Sequence, residues 1–235
     1  MSSDPCVRPR IGDVPVTLQV STRARRLRLR VDPRTREVLL TIPSRTSPRR
    51  ALAWAAEHQK WIEATLAAMP AQARIDPGET IPLFGRPHRI DWQPEHSRRV
   101  VVADGAISLG GPAESVESRL LRWLKSEALT LLERETREFC VAGDLEVARV
   151  SIGDPRSRWG SCSSSGNIRY SWRLILAPDF VRRATVAHEV AHLVHMDHSP
   201  RFHALVETLL GEDPKPARLW LRREGAALHR IGART

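Results

Sequence analysis

Thr185-Val186-Ala187-His188-Glu189-Val190-Ala191-His192-Leu193-Val194-His195-Met196-Asp197-His198-Ser199 is the stretch on which the reading of this chain turns. Ala184, Ala187, Val190, Ala191 and Val194 recur at the spacing of one apolar helix face. On such a helix His188 and His192 lie four apart, one above the other, so two imidazole nitrogens can reach one cation. Glu189 is turned by about 100° from His188. From there its carboxylate can reach water beside the cation without being a ligand, which is what a general base requires. The competing explanation for the two histidines is a hydrogen-bonded pair in the core. A short apolar helix carrying two histidines and a glutamate inward must satisfy all three groups there, and a metal ion does so.

A catalytic zinc site with an open position takes three protein ligands. His195 shares the face, but a straight helix separates residues 188 and 195 by about 10.5 Å of rise. Ligand nitrogens around one zinc must lie within about 4 Å of each other. The helix must therefore end and the chain turn back, and Met196-Asp197-His198-Ser199-Pro200 supplies the turn, with Ser199 as N-cap and Pro200 opening the next helix. This makes His198 the expected third ligand, with His203 in reserve. The expected cofactor is one Zn²⁺, the expected base Glu189, and the expected reaction hydrolysis of a peptide or related amide in a protein or peptide substrate.

Pro178-Asp179 reads as the start of the metal helix, with Asp179 as N-cap. Three extended pieces precede it, at about 146–152, 157–162 and 167–176, the last two flanking the polar loop Ser163-Ser164-Ser165-Gly166-Asn167. After it come a helix at 200–210 capped by Gly211, the interruption Asp213-Pro214-Lys215-Pro216, and a basic helix with Leu219, Trp220, Leu221 and Leu228 as apolar positions. A long amphipathic helix is expected at about 113–142, ending at Gly143.

Gly110-Gly111-Pro112 reads as the boundary between residues 1–112 and 113–235. Before it, residues 71–112 read as strands and turns, including a hairpin about Asp104-Gly105 with a type I′ signal. Residues 16–42 read as a two-stranded unit turning at Asp32-Pro33-Arg34-Thr35. One helix is expected from Ser47-Pro48 to about Met69, ended by Pro70, with Leu52, Trp54, Ala55, Trp61, Ile62, Leu66 and Met69 facing the core. The fold class is α+β: a β-rich N-terminal region with one helix, then a domain whose small sheet packs on the His188–His192 helix.

At 235 residues and 41% apolar, the chain can bury one good core or two small ones. No apolar run approaches a membrane span, and the N-terminus lacks the apolar core of a signal peptide, so a cytoplasmic location is expected. Cys6, Cys140 and Cys162 are odd in number and widely spaced, which argues against a disulfide framework or a cysteine-rich zinc module. Net charge is +10, and seven arginines between Arg23 and Arg36 stand against Asp32 alone. Arg26, Arg28 and Arg30 alternate with Leu27, Leu29 and Val31, so they are a candidate polyanion-binding face or, more simply, the solvated face of a strand.

Several separated motifs together resemble a known family. Arg158-Trp159-Gly160-Ser161-Cys162, Trp172-Arg173-Leu174-Ile175 with Ala177-Pro178, His188-Glu189-x-x-His192 and His198-Ser199-x-x-Phe202 are similar to the YgjP-like zinc metallopeptidases, related to the SprT and WLM groups among the gluzincin-like enzymes. His203 and Asp197 depart from the pattern, where a tryptophan and an asparagine are usual. The resemblance implies a zincin-like domain, zinc held by His188, His192 and His198, and Glu189 as base. It also implies that the strand through Arg158, Trp159, Gly160 and Ser161 aligns an extended substrate by main-chain pairing, Gly160 permitting close approach. The competing role for Trp159 and Trp172 is core packing. Cys162 reads as a small buried residue, and Tyr170 as a candidate oxyanion donor whose facing decides the matter. Two other functions compete: association with nucleic acid through the N-terminal arginines, and a structural zinc site with all four positions filled by protein.

Overall fold

A computed structural model describes residues 9–32, 36–68, 75–155 and 157–232. The chain divides into two compact units, Met1–Gln72 with Ala233–Thr235, and Ala73–Gly232. The Gly110-Gly111-Pro112 punctuation lies inside the second unit, because Ile81, Leu83, Ile90, Ile107 and Leu109 share one apolar core with Val116, Leu120 and Leu124. Among the described residues no helix is long and apolar enough to cross a membrane.

In the first unit β1 (Arg10–Ile11), β2 (Val14–Ser21), β3 (Arg28–Val31) and β4 (Val38–Pro43) form a sheet of order β1-β2-β4-β3. The expected two-stranded unit is therefore three strands: β2 runs parallel to β4, and β3 pairs antiparallel to β4 on its other side. Strict alternation along β4 buries Val38, Leu40 and Ile42 on one face. Against that face pack α1 (Pro48–Ala56) and α2 (Gln59–Ala68), two helices where one was expected. The N–H of His58 donates to the carbonyl of Ala55, a tightened turn that ends α1 and shifts the phase of α2. Trp61, expected in the core, is consequently 47% exposed, while Ala51, Ala55 and Ile62 are buried. The expected helix end at Met69-Pro70 and most of the turn at 32–35 lie outside the described residues.

The second unit begins with β5 (Thr80–Leu83), β6 (Arg86–Trp92), β7 (Val101–Ala103) and β8 (Ala106–Leu109), in the order β5-β6-β8-β7. Asp104 and Gly105 both have positive φ, 50° and 71°, as the type I′ hairpin between β7 and β8 demands. The long helix α3 (Val116–Ala142) follows a single 3₁₀ turn and ends at Gly143. Then β9 (Arg149–Gly153), β10 (Gly160–Cys162) and β11 (Asn167–Ser171) build a sheet of order β10-β11-β9. β10 and β11 are the expected hairpin. Trp172–Leu176, expected as strand, is a buried 3₁₀ turn that Ser171 caps by accepting from the N–H of Arg173.

Three helices complete the unit: α4 (Asp179–Ala191), α5 (Pro200–Leu210) and α6 (Lys215–Arg230). Pro178, not Asp179, occupies the N-cap of α4, because the Asp179 carboxylate accepts from the Arg182 guanidinium at 2.9 Å and leaves the backbone uncapped by side chain. Arg182 is buried and donates as well to both carboxylate oxygens of Glu135 on α3, at 2.8–3.2 Å. This desolvated pair ties α4 to α3 in one register, since breaking it would strand a buried charge.

Candidate metal centre

α4 stops at Ala191, and His192 stands at its C-cap. The turn comes earlier than the apolar spacing implied, which leaves Val194 exposed rather than buried. The chain reverses through Leu193–His198, and Ser199 caps α5 by accepting from the N–H of Phe202, with Pro200 first in the helix and Gly211 closing it at φ 78°. The carboxylate of Asp197 accepts from the N–H of Ser199 at 3.1 Å and holds the reversal.

This reversal brings His198 back over α4. His188, His192 and His198 each present a ring nitrogen, and these atoms lie within 4.8 Å of one another. Nε2 of His188 and Nε2 of His198 are 3.3 Å apart. Two nitrogens bound at about 2.0–2.1 Å to one tetrahedral ion would stand about 3.3 Å apart, so the His188–His198 pair has the spacing of two ligands of one cation, and the three residues together could hold a metal ion. Nδ1 of His192 donates to the main-chain carbonyl of His195 at 2.8 Å; because a carbonyl only accepts, the His192 proton sits on Nδ1 and the Nε2 lone pair is left for a metal. His195 contributes its backbone, and its side chain lies outside the cluster. Residue spacing alone gave no sign of that carbonyl. His203 also stays outside the three, with its ring centroid 6.4 Å from that of His198.

Phe202, fully buried, underlies all three rings. Its centroid lies 4.8 Å from His188, 4.5 Å from His192 in a stacked pose, and 4.8 Å from His198. Burial, helped by the neighbouring imidazoles, lowers His188 to about 4, and burial also lowers His192. Both are neutral near pH 7, as ligands must be.

Glu189 is 5% exposed, and its carboxylate lies against Gly160 of β10. Burial raises its carboxyl to about 7, with Arg158 pulling in the opposite direction. Such a group exchanges protons readily near neutrality. Gly160 faces it so closely that an added Cβ would lie 2.5 Å from Cγ and Oε1 of Glu189. A side chain at this position would have to displace the carboxylate.

β10 is an edge strand beside α4, as a strand that pairs with an extended peptide must be. Arg158 is exposed, and Trp159, Gly160 and Ser161 are half-buried. Trp159 stacks on His229 at 4.5 Å and lies against Gly225, where a Cβ would come within 2.8 Å of its ring. Trp172, by contrast, is core. A cavity of about 260 Å³ opens between Trp159, His188, Glu189 and α6. A larger concavity of about 830 Å³ lies beside Phe84 and Phe180, but none of the three histidines lines it, so size does not mark the chemistry. Tyr170 is buried with its hydroxyl 2.9 Å from that of Thr136, which leaves it no part in the cavity. Cys162 is half-buried outside the histidine cluster, and burial followed by the charge of Glu189 pushes its thiol up. In the first unit Arg26, Arg28 and Arg30 are all exposed along β3 and the turn before it, with Arg30 3.6 Å from Asp32.

Among families of known proteins, the model described as YgjP-like, metallopeptidase domain, matches residues 25–224. No curated protein and no solved structure matches the chain.

Proposed function

The chain belongs to the YgjP-like metallopeptidase family, and from that premise we propose that it hydrolyses peptide bonds with one zinc ion held by His188, His192 and His198 and with Glu189 as the base. The observation that carries this reading is the convergence of three imidazoles from the end of α4 and the reversal that follows it, with a buried carboxylate one residue along from the first. A zinc ion held there would supply Lewis acidity, polarising the scissile carbonyl and acidifying water.

The protein's own groups supply the rest. Glu189, desolvated and poised near neutrality, takes the proton from the attacking water at a carboxylate oxygen and returns it to the nitrogen of the departing amine. The His195 carbonyl keeps the His192 ring in one tautomer and one orientation. Phe202 packs beneath the three rings and fixes their mutual tilt. The open edge of β10 offers main-chain groups to an extended peptide, and Gly160 lets that peptide and Glu189 approach the same point.

The direct test is cleavage of a proteome-derived peptide library by the purified chain. Turnover should vanish on chelation and return with stoichiometric zinc; peptide cleavage indifferent to chelator would refute the metal-dependent mechanism. Gly160→Ala should also be informative, because the added methyl must displace the Glu189 carboxylate. A misplacement on the order of 1 Å costs about a hundredfold in rate. The expected result is a kcat lowered by about that factor with bound metal and circular dichroism unchanged. Full activity in this variant would mean that Gly160 does not govern where Glu189 sits.

A further inference from the structure

The cavity next to the histidine cluster has a charge character that the hydrolytic chemistry does not need. Its walls are largely apolar or small, from Trp159 and Ala184 to Val206, Ala217 and Leu221. Two guanidinium groups stand in its lining, Arg158 ahead of β10 and Arg218 on α6, together with the imidazole of His203. Glu189 is the sole acid among the lining residues, and it belongs to the reaction. Neither arginine is in an ion pair within hydrogen-bonding range among the described residues. The hydroxyl of Thr185, also in the lining, is already spent on the carbonyl of Val181 at 2.9 Å.

Two arginines brought from separate elements to one small concavity match a planar anion, because a guanidinium donates through a rigid fork that fits a carboxylate in two parallel hydrogen bonds. The volume of about 260 Å³ falls below the roughly 300–1,000 Å³ of sites for drug-sized ligands. It suits one side chain or one end of a peptide. A cationic side chain would meet two like charges there and be disfavoured.

We propose that this cavity is a substrate subsite for a carboxylate, either an acidic side chain or a free C-terminus adjoining the scissile bond, held by Arg158 and Arg218 against the apolar wall of Trp159 and Leu221. It is a substrate site only on the peptidase reading, but the binding itself does not depend on turnover.

An NMR titration of the zinc-loaded chain of residues 1–235 reports binding and cleavage separately. The probes are two matched pairs: acetyl-Ala-Leu with a free C-terminus against its amide, and acetyl-Ala-Asp-amide against acetyl-Ala-Asn-amide. In at least one pair the charged member should bind about tenfold tighter or better, as charge-assisted contacts allow. The pair that shows the preference identifies the source of the carboxylate. Arg158→Gln and Arg218→Gln should each reduce the preference, and together abolish it. Arg201→Gln, on the exposed surface of α5, controls for general charge and should leave it intact. Both cavity arginines are exposed, so neither substitution removes core packing. Equal binding within both pairs overturns the proposal. So does a preference that survives in the double variant, since the carboxylate would then be held by the metal alone. Charged probes that bind selectively while no library peptide is cut would uphold the subsite and refute the peptidase; cleavage without any charge preference would do the reverse.

Discussion

Glu189→Gln is expected to bind zinc as the unsubstituted chain does and to cleave peptides about 10²–10⁴-fold more slowly, the range that general acid–base catalysis contributes. The amide keeps the shape of the carboxylate and its place against Gly160, but it has no basic oxygen that can take a proton from water. Stability should hold or rise, because an uncharged group replaces one whose burial already disfavours its ionised form. Metal content by elemental analysis and kcat from single-turnover cleavage separate these effects. Wild-type turnover in a zinc-replete Gln variant would remove Glu189 from the chemistry.

His198→Ala should leave the purified protein with little or no zinc, whereas His195→Ala should retain a full equivalent. Losing a partner that only orients a ligand costs about 10–100-fold in metal affinity, so loss of a ligand should cost more. The contrast is sharp because His195 serves through its carbonyl, which alanine also carries, while His198 brings Nε2 to 3.3 Å from that of His188. The reverse pattern, zinc lost with His195 and kept without His198, would overturn the choice of third ligand.

The α+β class and the histidine cluster were legible because each rests on local spacing: the four-residue step from His188 to His192, and the N-cap and proline that force α5 to begin at Pro200. Pairing partners were not. β2 with β4, β6 with β8 and β9 with β11 are all parallel pairs formed past other chain segments, and alternation along a strand states which face is buried, not which neighbour it meets. The break between α1 and α2 falls in Ala55-Ala56-Glu57-His58-Gln59, which holds neither glycine nor proline, so nothing in the sequence announced it. Gly110-Gly111-Pro112 looked like a boundary because it punctuates the chain, yet the division between units follows shared burial, and the strands before it share a core with α3. Within the site, Phe202 was recognised as part of a motif, but its role beneath three imidazoles depends on tertiary packing. The place of Arg218 in the cavity was not legible, since it comes from the way α6 folds back along it.

The clamp on Trp159 has a bearing on how such proteins are recognised and trimmed. Its indole is pinned by Gly225 and His229, both beyond residue 224, where the match to the family model ends. A fragment cut to that outline would keep every histidine of the cluster and the glutamate yet lose the buttress behind one wall of its own cleft. Domain boundaries drawn by likeness thus understate the working body, since the end of the closing helix also carries Leu228 and the following Ile231 into the apolar interior of the second unit.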